Sequence, residues 1–340
     1  MLASPGVDLA RRRLLSRTSA LGAGGLLGPY LASAAAEPPP ETTKIRFAHT
    51  PYICVAPQYL AEEFLRLEGF TEWEHLPVGT RYGPHAIAEG RADIALLSTP
   101  ELMLHLDAAM PIVVVAGVHG GCYELFGGDR VRAVRDLKGR TAAVHYHGGG
   151  DHVLLSTMLA YVGIDPLKEV NWITGKALHN AMELFADGKA DAFVGFAQEP
   201  AELRAKKVGR VIVNTAHDRP WSQYFCCLAV AGRDFVRRNP VATKRALRSI
   251  LKAADICAAE PERAAAFLAE RLYETRYPIG LEVMKNSQYT RWREANPEDT
   301  LRFYTLRLRD VGMIKSTPQA LIAQSTDWRM LNELRKELKA

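Results

Sequence analysis

The chain has 340 residues, enough for about two domains of ordinary size. Hydrophobic residues make up 48% and charged residues 24%, which excludes a disordered chain, a collagen-like fibre and a polytopic membrane protein. Five cysteines are too few for a disulfide scaffold, and a net charge of +5 is low for a nucleic-acid-binding protein. We therefore expect a globular protein with no nucleic-acid partner.

Residues 1–36 have the pattern of an export signal. Three arginines at 11–13 precede a weakly apolar, Gly- and Ala-rich stretch over 18–36 that ends in small residues typical of a cleavage site. The run RRRLL resembles a twin-arginine signal, which implies export of a folded protein. A membrane helix is disfavoured because glycines and Pro29 interrupt the apolar run. Because no cysteine lies near the cleavage region, we expect a periplasmic protein without a lipid anchor, in which residues 37–43 form a linker.

Residues 44–117 alternate between the hydrophobic periods that distinguish strands from helices. The segments with strand character are 44–49, 73–78, 92–97 and 112–117. The segments with helical spacing are 57–67, 84–89 and 100–108, and the first carries Leu60, Phe64 and Leu67 on one face. These strands are too apolar for a sheet with one wet face. We therefore expect an α/β fold whose sheets are covered by helices.

A second cycle of the same kind begins near Gly127. Strand character recurs at 141–145, 170–173 and 190–195, and helical spacing recurs at 151–162 and 177–187. An apolar run from Tyr224 then leads into helices that continue through residue 339. We predict lobe I over residues 44–125, lobe II over 126–220, and a return to lobe I with C-terminal helices over 221–340.

Short motifs in a fixed order resemble the substrate-binding proteins of ABC importers in the nitrate, sulfonate and taurine class. Each motif is weak alone, but their order and spacing extend over almost the whole chain. The motifs include the loop 52–57, AEGRADIA at 88–95, VRDLKGR at 134–140, YVGIDP at 161–166, FADGKADA at 185–192, QEP at 198–200 and RDF at 233–235.

The resemblance implies a two-lobed periplasmic binding protein of the type II-like class, with a mixed sheet in each lobe and a hinge between them. It implies a monomer, not an enzyme and without a cofactor, that captures a small organic anion, sulfonate or carboxylate, in the cleft. It also implies delivery of that solute to a permease and ATPase at the inner membrane. The alternative is a protein that binds or makes a thiamine pyrimidine precursor. Such synthases carry a cysteine-rich iron motif that Cys226 and Cys227 alone do not meet.

Four junctions between a strand and the next helix are candidates for ligand contact. Ligands of α/β proteins collect at these ends, where helix N-termini bind anions. In lobe I the candidates are Tyr52, Thr80, Arg81, Ser98 and Thr99. A bidentate arginine suits a carboxylate or sulfonate. The alternatives stay open: a plain turn at Tyr52, a solvated Arg81, and hydroxyls that only cap their own helix.

A glycine-rich run follows the strand at 141–145 and opens a helix. Its candidates are His147, Gly148, Gly149, Gly150 and His152, because glycines let backbone N–H groups approach an acceptor closely. The family often has Ser or Thr near the helix start, whereas this chain has acidic and histidine residues. A metal site in this run is not supported, because neither a flanking carboxylate nor a cysteine spacing completes a ligand set.

The remaining candidates are Phe196, Glu199 and Tyr224, near the strand at 190–195 and the return crossing. Glu199 is either a helix-dipole partner or a ligand contact. An aromatic wall of Tyr52, Tyr82, Tyr146, Phe196 and Tyr224 would favour an organic solute over nitrate, and the alternative is that any one of these rings belongs to the core. The interpretation requires a hollow between the lobes beside Thr99 and Gly149.

The five cysteines are Cys54, Cys122, Cys226, Cys227 and Cys257. We interpret all five as small, buried apolar residues, since a disulfide between the neighbours Cys226 and Cys227 would be strained. A Cys/His metal site is the alternative, but neither CxxC nor HExxH spacing supports it.

Overall fold

The computed structural model describes residues 37–339, with gaps at 51, 176–179, 272 and 274–275. The predicted export signal over residues 1–36 lies outside the described residues. Residues 39–340 form one compact unit. In the part of the chain that the structure describes, we find no helix both long enough and apolar enough to cross a membrane.

Two five-stranded sheets form the centres of two lobes. Their strand orders are β2-β1-β3-β10-β4 in lobe I and β7-β6-β8-β5-β9 in lobe II. The strands are β1 (Lys44–His49), β2 (Glu72–Pro77), β3 (Ile94–Ser98), β4 (Ile112–His119), β5 (Tyr123–Gly127), β6 (Thr141–Val144), β7 (Asn171–Thr174), β8 (Ala192–Phe196), β9 (Arg210–Asn214) and β10 (Cys227–Gly232).

Both sheets are mixed, as predicted. In lobe I, β1 pairs in parallel with β2 and β3, whereas β10 runs antiparallel between β3 and β4. In lobe II, β6 pairs in parallel with β7 and β8, whereas β5 runs antiparallel between β8 and β9. The sequence patterns missed β5 and β9. Because β5 begins at Tyr123, the boundary predicted after residue 125 falls inside this strand.

Helices cover the sheets and follow the predicted positions closely. They are α1 (Ala56–Leu60), α2 (Glu62–Leu65), α3 (Gly83–Ala88), α4 (Thr99–Asp107), α5 (Gly150–Tyr161), α6 (Asn180–Ala186), α7 (Glu199–Lys206), α8 (Arg233–Arg238), α9 (Pro240–Ala259), α10 (Pro261–Glu270), α11 (Tyr277–Asn286), α12 (Pro297–Asp310), α13 (Pro318–Ser325) and α14 (Arg329–Glu337). Of the C-terminal helices, α12 packs on both α4 and α5 and so contacts both lobes.

The prediction of one helix over residues 57–67 is wrong at the C-terminal end. The chain forms α1 and α2 instead, and Leu67 is 82% exposed. Gly69, with a φ of +95°, turns the chain, and Phe70 enters the core in place of Leu67. A left-handed residue of this kind ends a helix, and glycine adopts it at little cost.

Two connections join the lobes and form the hinge. The first, residues 120–122, runs from β4 to β5, and the second, residues 215–226, runs from β9 to β10. Cys122 and Cys226 form a disulfide between these connections. All five cysteines are buried, as interpreted from the sequence, but Cys122 and Cys226 are cross-linked rather than simple apolar residues, while Cys54, Cys227 and Cys257 are free. The paired cysteines lie 104 residues apart, so no short spacing signals the bond.

Candidate functional site

Two helices from opposite lobes begin at the same point between the lobes. Helix α4 starts directly after β3, and α5 starts after the loop that follows β6. Ser98 Oγ and Tyr123 Oη share a hydrogen bond of 2.6 Å. A Cβ atom on Gly150 would lie 2.5 Å from Tyr123 Oη and 2.8 Å from Ser98 Oγ. Glycine at position 150 therefore permits the lobes to approach this closely.

A small cavity lies at this meeting point. Its lining combines aromatic, hydroxyl and ionisable side chains: Tyr52, Ser98, Glu101, Tyr123, His145, Tyr146, Gly150, Asp151 and Phe196. Its free volume is about 20 Å³. A water molecule needs roughly 10–15 Å³ by the same measure. A solute larger than water therefore requires the lobes or the lining side chains to move apart.

Aromatic rings close one side of the cavity. Phe196, at the end of β8, packs edge-on against Tyr52 with ring centroids 4.2 Å apart. The same ring stacks on Tyr123 at 4.3 Å. A second cavity of about 10 Å³ lies behind this wall in lobe I and is also lined by Tyr52, Ser98, Glu101 and Phe196. The aromatic wall was predicted for Tyr52 and Phe196.

A buried histidine links two acidic residues on the lobe II side. His145 donates from Nδ1 to Asp151 Oδ2 and from Nε2 to Glu199 Oε1, each at 2.8 Å. Asp151 Oδ2 also accepts the backbone N–H of His145, and Glu199 Oε2 that of Phe196. Burial disfavours the cation, but the hydrogen bonds to the two carboxylates outweigh it and raise the pKa of His145 to about 10. His145 is therefore an imidazolium at neutral pH.

Glu101, in the first turn of α4, forms the corresponding acidic position in lobe I. Its Oε1 accepts a hydrogen bond of 2.7 Å from Tyr146 Oη, across the interface between the lobes. Burial raises the pKa of Glu101 to about 7, although the bond from Tyr146 and the nearby Arg81 oppose the shift. Glu101 thus changes charge near neutral pH.

Arg81 lies at the rim of this region. It is exposed, and its guanidinium carbon lies 5.6 Å from the centroid of the Tyr146 ring and 6.0 Å from that of Tyr82. These distances are within the range of cation–π contact. The neighbouring candidate Thr80 belongs to a short 3-10 turn, but its side chain lies outside the described part of the chain.

The structure places Thr99 and Gly149 beside the cavity but not in its lining. The Thr99 N–H donates to the carbonyl of Cys226 at 2.7 Å, and its buried Oγ1 finds no hydrogen-bond partner among the described residues. A Cβ on Gly149 would meet Asp151 Oδ1 at 2.9 Å, on the lobe II side. The cavity is therefore lined by the residue before Thr99, which is Ser98, and by the residue after Gly149, which is Gly150.

The two predicted histidines belong to the outer part of the lobe II loop. The backbone N–H of Gly148 donates to His152 Nδ1 at 3.1 Å, and the His152 ring packs on Trp172 at 4.6 Å. His147 is exposed and contacts His152 at 5.3 Å between ring centroids. These groups support the glycine loop and do not line the cavity.

Tyr224 lies elsewhere. Its ring stacks on Phe303 of α12 at 4.0 Å, in a groove formed with the residues around Arg291. The structure therefore does not bring Tyr224 to the cavity between Ser98 and Gly150.

Sequence reasoning included Tyr146 in the predicted aromatic wall but missed Glu101, Tyr123, His145 and Asp151 as lining residues. Acidic residues in the first turns of two helices were a usable signal for Glu101 and Asp151. His145 stands in the glycine-rich run, from which other residues were chosen as candidates. Tyr123 had no signal, since the strand that carries it was not predicted.

Comparison with known proteins identifies the family and the fold of the chain. The sequence model of the family described as NMT1/THI5 like matches residues 77–264. No curated protein matches the chain in sequence. The class inferred from the sequence motifs is confirmed.

Solved structures share the fold at low sequence identity. The periplasmic nitrate-binding protein NrtA from Synechocystis PCC 6803 is 15% identical; the alignment covers 89% of this chain and 90% of that one, with a TM-score of 0.74. The aliphatic sulphonate-binding protein SsuA from Escherichia coli is 16% identical; the alignment covers 83% of this chain and 91% of that one, with a TM-score of 0.64. The desulfurization enzyme DSZB is 14% identical; the alignment covers 86% of this chain and 99% of that one, with a TM-score of 0.58. The predicted two-lobed binding-protein fold is confirmed, and it also occurs in an enzyme.

Proposed function

The chain belongs to the NMT1/THI5-like family, and from this premise we propose that it is the solute-binding component of an ABC importer. In this proposal the protein is exported to the periplasm and binds a small organic anion between its lobes. The closed form then delivers the solute to a permease and ATPase at the inner membrane. The related nitrate- and sulphonate-binding proteins support the class of solute.

The observation that carries the proposal is the meeting of two helix N-termini from opposite lobes at Ser98 and Gly150. Each terminus carries a partial positive charge, which favours an anion, although in α4 the Thr99 N–H already donates to the Cys226 carbonyl and Pro100 has no N–H. A solute held by both termini would draw the lobes together. Occupancy is thereby coupled to closure, which is the signal that a permease can recognise.

The acidic lining sets a condition on an anionic solute. A bound anion close to Glu101 would repel its carboxylate, so the solute binds best when Glu101 is protonated. Because the pKa of Glu101 is about 7, protonation takes place at moderate pH. We therefore expect binding of an anion to take up a proton and to weaken as the pH rises above 7.

The second candidate is a solute that carries hydrogen-bond donors or a positive charge. Glu101 and Asp151 place a carboxyl group in the first turn of each helix, where a donor-rich ring such as an aminopyrimidine would find acceptors. The pH dependence of this solute has the opposite sign, since ionised Glu101 is then the better partner. Affinity would rise as the pH increases through 7.

An enzyme on the same fold is less well supported by the site. Both ring nitrogens of His145 already bond to carboxylates, and the pKa of about 10 makes it a poor general base near neutral pH. Tyr123 Oη and Ser98 Oγ bond to each other. The ionisable groups of the cavity are thus arranged to hold its lining in place.

The test is a thermal-shift screen of the protein at pH 6 and pH 8. The panel contains nitrate, alkanesulfonates, taurine, aliphatic and aromatic carboxylates and 4-amino-5-hydroxymethyl-2-methylpyrimidine, with chromatography of each mixture for new products. A ligand at 100 times its dissociation constant should stabilise the fold by about 2.7 kcal/mol. A sulfonate or carboxylate with a larger shift at pH 6 supports the leading proposal.

The other outcomes are equally informative. An aminopyrimidine with a larger shift at pH 8 would replace the anion by the second candidate. Consumption of a ligand with formation of a product would overturn the binding function in favour of an enzyme. A ligand whose affinity is unaffected by Gly150→Ala would show that binding takes place outside the cavity described above.

A further inference from the structure

A compact group of sulfur and nitrogen ligands lies at the hinge, next to the second cavity, which Cys227 lines together with Ser98 and Glu101. Cys54, His119, Cys122 and Cys227 each present one ligand atom, and these four atoms all lie within 4.8 Å of one another. Cys54, His119 and Cys227 are completely buried, and Cys122 is 7% exposed. The residues come from three separate places in the sequence, so no metal-binding motif marks them.

The distances are close to those of a tetrahedral zinc site. Zinc–sulfur bonds of about 2.3 Å and zinc–nitrogen bonds of about 2.0–2.1 Å place neighbouring sulfurs about 3.8 Å apart, and sulfur and nitrogen about 3.5 Å apart. Cys122 Sγ lies 3.4 Å from His119 Nδ1. The upper limit of 4.8 Å exceeds the ideal sulfur–sulfur edge by about 1 Å. Small side-chain movements would close that gap.

The histidine reaches the ligand group through Nδ1, the ring nitrogen that lies 3.4 Å from Cys122 Sγ. Its other nitrogen, Nε2, is buried and makes no hydrogen bond within the described ranges. An ion also has a way in, because Cys122 lines a cavity open to the surface beside Gly121 and Ala216. Three thiolates and one neutral imidazole are a common ligand set for structural zinc.

We propose that the hinge binds one Zn²⁺ through Cys54, His119, Cys122 and Cys227 when Cys122 is not in its disulfide. The metal site and the Cys122–Cys226 disulfide exclude each other, since both use the sulfur of Cys122. Zinc would join the first connection, through Cys122, to the end of β4, the start of β10 and the residues just before α1. The hinge thus has two alternative cross-links, one of sulfur and one of metal.

Conversion between them is a balanced reaction. A phosphine reductant gives two electrons to the disulfide and takes an oxygen atom from water, and the two hydrogens of that water protonate Cys122 and Cys226. Zn²⁺ then displaces the protons of three cysteine thiols, which pass to the buffer. In the net reaction the sulfur–sulfur bond, both O–H bonds of the water and the S–H bonds of Cys54 and Cys227 break. A phosphorus–oxygen bond, the S–H bond of Cys226, three zinc–sulfur bonds and one zinc–nitrogen bond form.

The decisive variant is Cys226→Ser, which cannot form the disulfide but keeps all four proposed ligands. The untagged chain is incubated with Zn²⁺ under argon, desalted and analysed for metal. We expect about one zinc per chain in Cys226→Ser without reductant and in phosphine-reduced wild type, against at least tenfold less in oxidised wild type. Co²⁺ in place of Zn²⁺ should give the visible spectrum of a tetrahedral thiolate site.

Two further variants assign the ligands. Cys54→Ser added to Cys226→Ser should lower the zinc content at least tenfold, whereas Cys257→Ser added to it should retain one zinc, because the buried Cys257 lies outside the ligand group. Circular dichroism verifies that each variant is folded. Folded Cys226→Ser without zinc, or equal loss in the Cys54 and Cys257 variants, would overturn the proposal.

Discussion

The first turns of α4 and α5 carry an acidic residue each, but the two acids face different electrostatic surroundings. Asp151 bonds to His145, whose other nitrogen bonds to Glu199, so one cation lies between the two carboxyl groups within lobe II. Glu101 bonds to the hydroxyl of Tyr146, and burial raises its pKa to about 7. The same local pattern thus gives a permanently charged wall in lobe II and a titratable wall in lobe I. This difference between the two lobes depends on the His145 cation and its bond to the distant Glu199, which the sequence around each helix does not specify.

The largest effect is expected from removing the cation of the lobe II wall. His145→Ala leaves Asp151 and Glu199 buried without their partner, which should lower the free energy of unfolding by about 3–5 kcal/mol at pH 7. The pKa of His145 is raised, so its contribution is fully present below pH 6.5 and disappears as the pH rises through about 10. Urea unfolding at pH 7 and pH 10 measures both effects.

The exposed His147 provides the control for this prediction. His147→Ala should change the free energy of unfolding by less than about 0.5 kcal/mol. Equal losses in the two variants, or no loss in His145→Ala, would remove the distinction between the two walls.

The next effect tests whether the walls meet when a solute binds. The Cβ of Gly150→Ala would press on Tyr123 within lobe II and, in the closed form, also on Ser98 of lobe I, so ligand affinity should fall by on the order of 2 kcal/mol, or about thirtyfold. Gly280→Ala is the matched control, because a Cβ there meets only Ala265 at an ordinary 3.8 Å. Calorimetric titration with the best anion from the screen compares the variants, and equal affinities would contradict closure at this point.

A smaller effect tests the titratable wall. Glu101 has a folded pKa of about 7 against 4.5 as its ordinary value, so the folded state binds the extra proton and stability falls as the pH rises from 4.5 to 7. Glu101→Gln should remove this slope and be the more stable protein at pH 8. It should also abolish the loss of anion affinity above pH 7, which amounts to about tenfold per pH unit at most.

Urea unfolding and calorimetry at pH 5 and pH 8 measure these slopes. Glu262→Gln on the surface is the control and should retain the wild-type behaviour, since its partner is the exposed Lys285. An unchanged slope in Glu101→Gln would assign the titration to another group.

The smallest effect concerns the rim of lobe I. Arg81→Ala removes an exposed cation that lies over Tyr146, so the affinity for an anion should fall only about two- to fivefold. The loss should diminish further in high salt, because exposed charges are screened. Titrations at low and high salt test this, and a salt-independent loss would mean that Arg81 contacts the solute directly.

Hydrophobic periodicity over short stretches of sequence predicted the positions of β1 and of several helices. Strand β1 has the predicted bounds, and α1, α3, α4 and α5 each begin one residue before the predicted start, since hydrophobic period and helix-start residues are read over short windows. Strands β5 and β9 were missed because Glu124 lies inside the first and the second is half exposed. Their place in the sheet comes from partners far along the chain.

The candidate site was predicted in part for the same reason. Ser98, Gly150, Tyr52 and Phe196 stand at junctions that any α/β fold brings to one edge. The link from His145 to Glu199 spans 54 residues, and the disulfide spans 104. Such contacts arise only when both lobes are assembled, so neither the charge of the lining nor the pairing of the cysteines was visible in the sequence.

The position of β10 has a consequence for synthesis of the protein on the ribosome. In lobe I, β10 lies between β3 and β4, and β4 has no other neighbour in the sheet. Strands β1 to β4 therefore emerge from the exit tunnel before β10, which must lie between β3 and β4. The strands of lobe II, from Tyr123 to Asn214, emerge without interruption. The second lobe can fold first as the nascent chain lengthens, and the lobe made earlier must wait for the later one.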